Sequence, residues 1–403
     1  MTRHEHDTGK LPMGALLALA MTGFTCIVTE TLPAGLLPAM GEGLQVSPSL
    51  AGQSVTVYAL GSMLAAIPLT IATQGWRRRN VLLLAIFGFL LFNSITAWSP
   101  SYTVMLIARF FAGVSAGLAW SLVAGYARRM VEPALQGRAL AVAMVGTPIA
   151  LSLGVPLGTW LGNLLGWRAA FASMSGLTLI LIIWVLLRVP DYPGQAASER
   201  IRLRPVLLTP GVRPVLAVVV TWMLAHNLLY TYVSPFVTPA GLGDRVDAVL
   251  LVFGLAALLG IAMTGRLVDR HLRSAVLLSL VAFAFTTLLF GLFAHSAAVA
   301  YVGVFVWGIS FGGAATLLQT ALADSAGDGA DVALSLNVVV WNGAIAGGGV
   351  LGGILLDQLG VGAFAWAALV LILVSLGIAA AAREHGFPGG HRQARTEAQA
   401  ATV

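Results

Sequence analysis

The chain has 403 residues, of which 58% are hydrophobic and only 9% charged, and its mean hydropathy is +0.89. A water-soluble domain carries about 25% charged residues, so this composition cannot build a water-facing surface, and most of the surface must meet lipid. The net charge of +6 does not point to nucleic acid, because the basic residues sit in short segments between apolar runs rather than along one stripe.

Twelve apolar runs follow one another at residues 12–38, 50–72, 80–98, 103–127, 136–162, 168–187, 214–237, 247–265, 274–294, 298–321, 332–356 and 361–382. About 20 apolar residues span a bilayer as a helix, so the spacing predicts an all-α integral membrane protein with 12 transmembrane helices. Barrel strands would alternate polar and apolar residues over short stretches, and these runs do not. The polar stretch MTRHEHDTGK stands before the first run. That run is too long for the apolar part of a signal peptide, so a retained first helix is expected. The single cysteine, Cys26, lies in the first run and reads as a packing residue.

The loops set the orientation. If both termini are cytoplasmic, the cytoplasmic side collects every Lys and Arg except Arg109, Arg168 and Arg245, and a missed helix would scramble that bias. The expectation is a multi-pass protein of the bacterial cytoplasmic membrane with both termini inside. The loop after the tenth run holds Asp324, Asp328 and Asp331 and no basic residue, but acids weigh little in topology. Residues 188–213, RVPDYPGQAASERIRLRPVLLTPGVR, are polar, basic and proline-rich and read as a cytoplasmic linker. It separates an N-terminal six-helix bundle (1–187) from a C-terminal six-helix bundle with a short cytoplasmic tail (214–403). A shift of 194 residues lays Gly154 on Gly348, Gly158 on Gly352 and Gly166 on Gly360. Two repeated halves with a site between them are the geometry of alternating access.

An ionisable group inside a membrane span is a candidate for function. Glu30, in FTCIVTETLPAGLLP (24–38), is such a group. It stands about 18 residues, or about 27 Å, into the first run at 1.5 Å per residue, which places it toward the outer end of that helix. Pro33 and Pro38 are expected to loosen that end and admit water. Arg109, in ARFFAGVSAGLAW (108–120), is either a buried arginine that needs partners or one that snorkels to the outer headgroups. In GTPIALSLGVPLGTWLG (146–162), Gly146, Gly154, Gly158 and Gly162 fall largely on one face, a smooth ridge for another helix. Pro148 and Pro156 are expected to bend it.

The seventh run carries HNLLYTYVSPF (226–236), unusually polar for a lipid-facing helix. His226, Asn227, Tyr230 and Tyr232 are therefore candidates for a cavity wall. The alternative for the tyrosines is an interfacial aromatic belt, and for His226 a hydrogen-bonded packing role. Gln319, Asn337 and Asn342 are amides that either touch substrate or tie helices together. Trp341 is an aromatic wall candidate, as are Trp120, Trp222 and Trp307.

Four stretches resemble the major facilitator superfamily, within the bacterial sugar and drug efflux group of drug:proton antiporters. GRLVDRHLR (265–273), placed in the loop after the eighth run, is similar to the superfamily's G-x-x-x-D-R loop signature through Gly265, Asp269 and Arg270. Residues 108–120 are similar to its R-x-x-x-G pattern through Arg109 and Gly113. The glycine and proline spacing of 146–162 resembles the fifth-helix antiporter signature. TETLPAGLLP (29–38) resembles a first-helix signature with an acid ahead of G-L-L-P. The first-half copy of the loop, PLTIATQGWRRRN (68–80), departs from the pattern. It keeps Arg77, Arg78 and Arg79 but has Ala72 or Thr73 where the aspartate belongs.

The resemblance implies the major facilitator fold and a monomer. It implies proton-coupled export of a small organic compound, drug-like, sugar or related metabolite. Proton coupling would fall to Glu30 with Arg109. Substrate contact would fall to His226, Asn227, Tyr230, Tyr232, Gln319, Asn337, Trp341 and Asn342. Conformational roles would fall to Arg77, Arg78, Gly146, Gly154, Pro156, Gly158, Gly265, Asp269 and Arg270.

The chain has no G-K-S or G-K-T phosphate loop, so ATP is not expected to drive it. No Cys/His cluster suggests a metal, no paired carboxylates suggest a hydrolase, and no filter-like repeat suggests a selective channel. The expectation is a secondary transporter rather than an enzyme, without cofactor or metal. Its partners would be the lipid bilayer, protons and a small organic substrate, and no nucleic acid. The alternatives are a facilitator or proton symporter of the same fold, and a non-transporting membrane sensor.

Overall fold

The computed structural model describes residues 11–132, 135–194 and 203–389. The first ten residues, the middle of the linker (195–202) and the tail from 390 lie outside the described residues, as do the side chains of Asp328 and Asp331.

Six helices precede the linker: α1 Met13–Leu44, α2 Pro48–Ala72, α3 Arg78–Trp98, α4 Tyr102–Arg129, α5 Gln136–Leu165 and α6 Trp167–Arg188. The linker holds a short helix, Leu203–Leu208, and leads into α7, Val212–Thr231, prolonged by Val233–Val237. A 47-residue helical stretch, Val246–Leu292, follows; His271 is non-helical inside it (φ −133°, ψ 38°) and divides it into α8 (246–270) and α9 (272–292). The chain then forms α10 Ala297–Ala326, α11 Ala330–Leu359 and α12 Ala363–Ala381. The twelve spans read from the apolar runs are all present, six on each side of the linker.

Serines set several of the helix starts. Ser47, Ser101 and Ser296 precede α2, α4 and α10, and each side-chain oxygen accepts a main-chain N–H three residues on, at 3.2, 3.5 and 3.3 Å. Two helix limits differ from the sequence reading, each for a physical reason. α1 continues through Pro33 and Pro38 to Leu44, because neighbouring helices hold the segment where the prolines remove hydrogen bonds. Glu30 is thereby the 18th residue of 32, with 14 residues after it. It stands near the middle of the helix, not toward its outer end. Residues 265–270 are the last turns of α8 and not a loop. Apart from Gly265 that stretch holds ordinary helix formers, and the break comes only at His271.

The glycines show why the two halves pack alike. A Cβ built on Gly61 would lie 2.1 Å from the carbonyl oxygen of Phe110, and one on Gly113 would lie 1.9 Å from that of Tyr58. These two contacts bring α2 and α4 together. In the second half Gly260 meets Ile309 at 2.2 Å and Gly312 meets Ala257 at 2.2 Å, which joins α8 to α10. Each of the four positions has its counterpart 199 residues on (61 and 260, 110 and 309, 113 and 312, 58 and 257). Gly166 and Gly360, matched by the shift of 194, end α5 and α11 in the same left-handed and extended backbone (φ 89°, ψ 148° and φ 75°, ψ 174°). The pseudo-repeat is therefore a repeat of close helix contacts.

The α5 ridge packs on α1. Gly146 abuts the Ala20 carbonyl, Gly154 abuts Phe24 and Val28, Gly158 abuts Leu32, and Gly162 abuts Leu36. Between them, residues Ala150–Gly154 form a π-helical turn flanked by Pro148 and Pro156. That turn faces the other bundle, where a Cβ on Gly254 of α8 would lie 2.3 Å from the Cα of Ser152. On the second half, Gly348 and Gly352 of α11 abut Asn227, Leu228 and Tyr232 of α7, the same arrangement as α5 on α1. Large apolar side chains cover the outside, among them Leu64, Phe87, Leu187, Leu278 and Val370. Such a belt on helices of spanning length is the surface of a multi-pass membrane protein.

Candidate functional site

Glu30 of α1 and Arg109 of α4 come together within the N-terminal bundle, on the side of α1 that approaches α7. Arg109 is fully buried and Glu30 is 7% exposed, so Arg109 does not snorkel to a surface. Its guanidinium donates from Nη1 to the Thr29 carbonyl (2.5 Å), from Nη2 to the Glu30 carbonyl (3.1 Å) and from Nε to the Ser54 carbonyl on α2 (3.2 Å). Its flat face lies 4.7 Å from the Tyr58 ring and 5.6 Å from that of Phe171. The Tyr58 hydroxyl donates to the Cys26 carbonyl at 3.0 Å, and Asn93 Nδ2 donates to Thr29 Oγ1 at 3.0 Å. Apart from the bond to Ser54 of α2, every one of these bonds ends on α1, within about a turn of Glu30. Among the described residues no ion pair reaches the Glu30 carboxylate. Across the seam, Tyr230 of α7 lies beside Thr31.

Tyr230 belongs to an aromatic cluster in the C-terminal bundle. His226 stacks flat on Phe311 of α10, with ring centres 3.4 Å apart and planes 3° apart. It also stacks on Tyr230 at 5.2 Å and meets Trp307 and Phe253 edge-on or tilted at 5.4 and 5.7 Å. His226 packs against rings, and among the described residues its Nδ1 has no hydrogen-bond partner, nor does Trp307 Nε1. Phe253 and Phe311 were not singled out in the sequence. Their positions on the buried faces of α8 and α10 look like ordinary packing until the rings are seen together.

Tyr232 points elsewhere, because α7 leaves helical geometry at that residue (φ −109°, ψ 30°). Its hydroxyl lies 2.8 Å from the Gly349 carbonyl of α11 and 3.3 Å from the Ser49 carbonyl of α2, and it accepts from Gln53 Nε2 at 3.2 Å. Gln53 also donates to the Gly349 carbonyl (3.3 Å), and Ser49 Oγ donates to the Gly353 carbonyl (3.2 Å). These bonds join the two bundles at the end opposite the linker. The tyrosine fits because Gly52 and Gly352 press on opposite parts of its ring. Gln53 and Ser49 escaped notice in the sequence; the usable signal was the cluster of glycines at 349, 352 and 353. Tyr232→Phe removes the hydroxyl from this set at about 0.5–1.5 kcal/mol per bond, so a roughly two- to tenfold shift toward separation of that end is expected. Spin labels at positions 50 and 359, both exposed, would report it as a longer distance.

The other candidates are dispersed. Asn227 donates to the Met223 carbonyl one turn back (2.9 Å) and carries α11 at Gly348. Asn342 donates to the Val338 carbonyl (2.9 Å). Asn337 is buried, with no hydrogen-bond partner for Oδ1 among the described residues, and Trp341 is half-buried. Gln319 is exposed on α10, on the same side as Thr316. At Gly265 a Cβ would meet nothing within 4 Å among the described residues, so no close helix contact depends on that glycine in this conformation. Asp269 and Arg270 are exposed near the break at His271.

The acid missing from the first-half loop comes from the linker. Arg77 pairs with Asp191 through Nε at 2.5 Å, and the other carboxylate oxygen accepts the Arg79 main-chain N–H at 3.2 Å, at the start of α3. Arg78 is buried, turns back on the Thr73 and Gln74 carbonyls, and its N–H donates to the Tyr192 carbonyl. Partial burial opposes ionisation of Asp191. The Arg77 hydrogen bond, the Arg79 N–H and both arginine charges outweigh it, and the carboxyl is held below its ordinary range. A depressed carboxylate stabilises the fold above its unfolded range, and that contribution is lost as pH falls through the folded value. Asp191→Asn is expected to destabilise the fold at neutral pH by up to about 1 kcal/mol, read as a lowered unfolding temperature. The difference should vanish on acidification through the carboxylate range.

The sequence matches the Major Facilitator Superfamily over residues 19–348. It is 30% identical over 349 residues to the purine ribonucleoside efflux pump NepI of Escherichia coli K12 and of Shigella flexneri, covering 86% of this chain and 88% of each relative. The fold is similar to the Escherichia coli xylose transporter XylE, in a partially occluded inward-open conformation (TM-score 0.72, 14% identity, 91% of this chain and 98% of that one). It is also similar to the human organic anion transporter MFSD10 (TM-score 0.62, 18% identity, 92% and 97%). Two six-helix halves, repeated close contacts and a family match across most of the chain lead to one conclusion: this chain belongs to the Major Facilitator Superfamily and is a transporter, not an enzyme.

Proposed function

We propose that the protein exports a small organic compound in exchange for protons, by alternating access between its two bundles. The observation that carries this reading is Glu30: a carboxylate in mid-helix at the seam between the bundles, without an ion pair among the described residues. Proton uptake there removes a charge from the seam and proton loss restores it, which is a change that both bundles would feel. The aromatic cluster around His226 faces that seam through Tyr230. Stacked rings with unpartnered ring nitrogens suit a flat heterocycle with polar edges. The relatives named purine ribonucleoside efflux pumps make a purine ribonucleoside the first substrate class to test.

The linker end carries nearly all of the basic loop residues and is assigned to the cytoplasm, with both termini on that side of the bacterial cytoplasmic membrane. The Gln53–Tyr232 bonds then close the outer face. The protein works as a monomer in the bilayer. The test is transport of radiolabelled adenosine by the purified protein in liposomes. Accumulation driven by an acidic lumen supports the reading. Adenosine flux indifferent to the pH gradient favours a facilitator, and no flux of any nucleoside removes the substrate class.

A further inference from the structure

We propose that Arg109 is a positioning residue: its guanidinium supplies the donor that Pro33 removes from α1, and through that bond it holds the backbone on which Glu30 stands. The proposal rests on the reading of Glu30 as the proton site.

In an α-helix the N–H of residue 33 would donate to the carbonyl of residue 29. Residue 33 is proline, which has no N–H and whose ring crowds that same carbonyl. The orphaned acceptor is Thr29 O, and Arg109 Nη1 bonds it at 2.5 Å. The next carbonyl, that of Glu30, takes Nη2 at 3.1 Å. The two arms of one fork thus fill adjacent carbonyls at the break, and Nε ties the pair to Ser54 O of α2 at 3.2 Å. A buried acceptor left without a donor costs about 1–3 kcal/mol, so the break requires an outside donor.

Arg109 reaches that point because α4 lies almost in contact with α2. Gly113, one turn on, abuts the Tyr58 carbonyl, and Gly61 abuts the Phe110 carbonyl. The R-x-x-x-G spacing therefore has a mechanical content: the glycine permits the approach and the arginine uses it. The contrast with an ion pair is geometric. A planar fork suits two carboxylate oxygens, yet here the fork is spent on main-chain oxygens. The counterpart of Arg109 in the second half, 199 residues on, is Gly308, and the same shift lays Pro33 on Tyr232, three residues before Pro235. The arginine therefore occurs in one half only.

The test uses wild type, Arg109→Lys, Arg109→Gln, Pro33→Ala and the double variant Pro33→Ala/Arg109→Gln. Lysine keeps the charge but cannot fork across two carbonyls. Alanine at 33 restores the N–H, so Thr29 O no longer depends on Arg109. Two readouts are taken: thermal unfolding in detergent, which needs no substrate, and adenosine transport in liposomes, measured both as pH-driven accumulation and as counterflow.

If Arg109 positions Glu30, Arg109→Lys loses pH-driven accumulation by about tenfold or more, as Arg109→Gln does, while counterflow persists in both. The uncharged double variant regains accumulation to within a few-fold of Pro33→Ala. In unfolding, Arg109→Gln lowers the midpoint less in the Pro33→Ala background than in wild type. Retained accumulation in Arg109→Lys with none in the double variant would overturn the proposal, as would equal midpoint losses in the two backgrounds. If Glu30→Gln leaves proton drive intact, the reading of Glu30 fails, and the unfolding cycle still decides whether the clamp exists.

Discussion

Glu30→Gln is expected to abolish accumulation driven by a pH gradient while leaving counterflow of adenosine at or above the wild-type rate. The glutamine keeps the size of the side chain and removes its ability to gain and lose a proton. Glu30 stands at the middle of α1, 7% exposed, and the Arg109 guanidinium holds the main-chain carbonyls of Thr29 and of Glu30 itself. A neutral amide at the seam should leave the bundles free to rock with substrate but unable to tie that motion to a proton. Accumulation should fall by at least about tenfold, which corresponds to about 1.4 kcal/mol of lost coupling. Wild-type accumulation in the variant would remove Glu30 from the proposed proton path.

The second large effect concerns folding. Gly113→Ala places a methyl group 1.9 Å from the Tyr58 carbonyl oxygen and 2.7 Å from its carbon. Both are main-chain atoms, so no rotamer change relieves the clash, and α4 must move away from α2. The expected cost is about 1–3 kcal/mol, and a displaced α4 also withdraws Arg109 from α1. Low yield of monodisperse protein, or a lowered unfolding midpoint, is the measurement. Gly125→Ala on the same helix is the control, because a Cβ there meets nothing within 4 Å. It should be neutral or slightly stabilising, since alanine favours a helix over glycine by about 1 kcal/mol.

The architecture was legible because two independent signals agree. Apolar runs of spanning length mark the helices, and the basic residues between them mark the sides. The glycine ridge of α5 was legible as a ridge, but periodicity does not say which neighbour a smooth face meets. The structure places α1 on it, with Ala20, Val28, Leu32 and Leu36 against successive glycines. Glu30 was misjudged in depth because Pro38 was taken as a helix end. A proline deletes a single main-chain bond, and packing carried α1 on to Leu44.

Contacts between distant residues were beyond the reach of local pattern. Asp191, which supplies the acid absent from 68–80, lies 114 positions from Arg77. Gln53 meets Tyr232 across 179 positions. Neither stands out among its sequence neighbours, and each acquires its role only from where the fold places it. Tyr230 and Tyr232 diverge, one into the His226 cluster and the other onto α2, and α7 leaves helical geometry at Tyr232.

Adenosine flux under imposed pH gradients of opposite sign tests the account most directly. Purified protein in liposomes is given external radiolabelled adenosine with the lumen made acidic, then alkaline, at equal membrane potential. Exchange of substrate for protons predicts accumulation above the external concentration when the lumen is acidic, none when it is alkaline, and loss of the difference in Glu30→Gln. Accumulation driven instead by the alkaline lumen would show symport, and adenosine levels equal under both gradients would show facilitated diffusion; either result contradicts proton-coupled export.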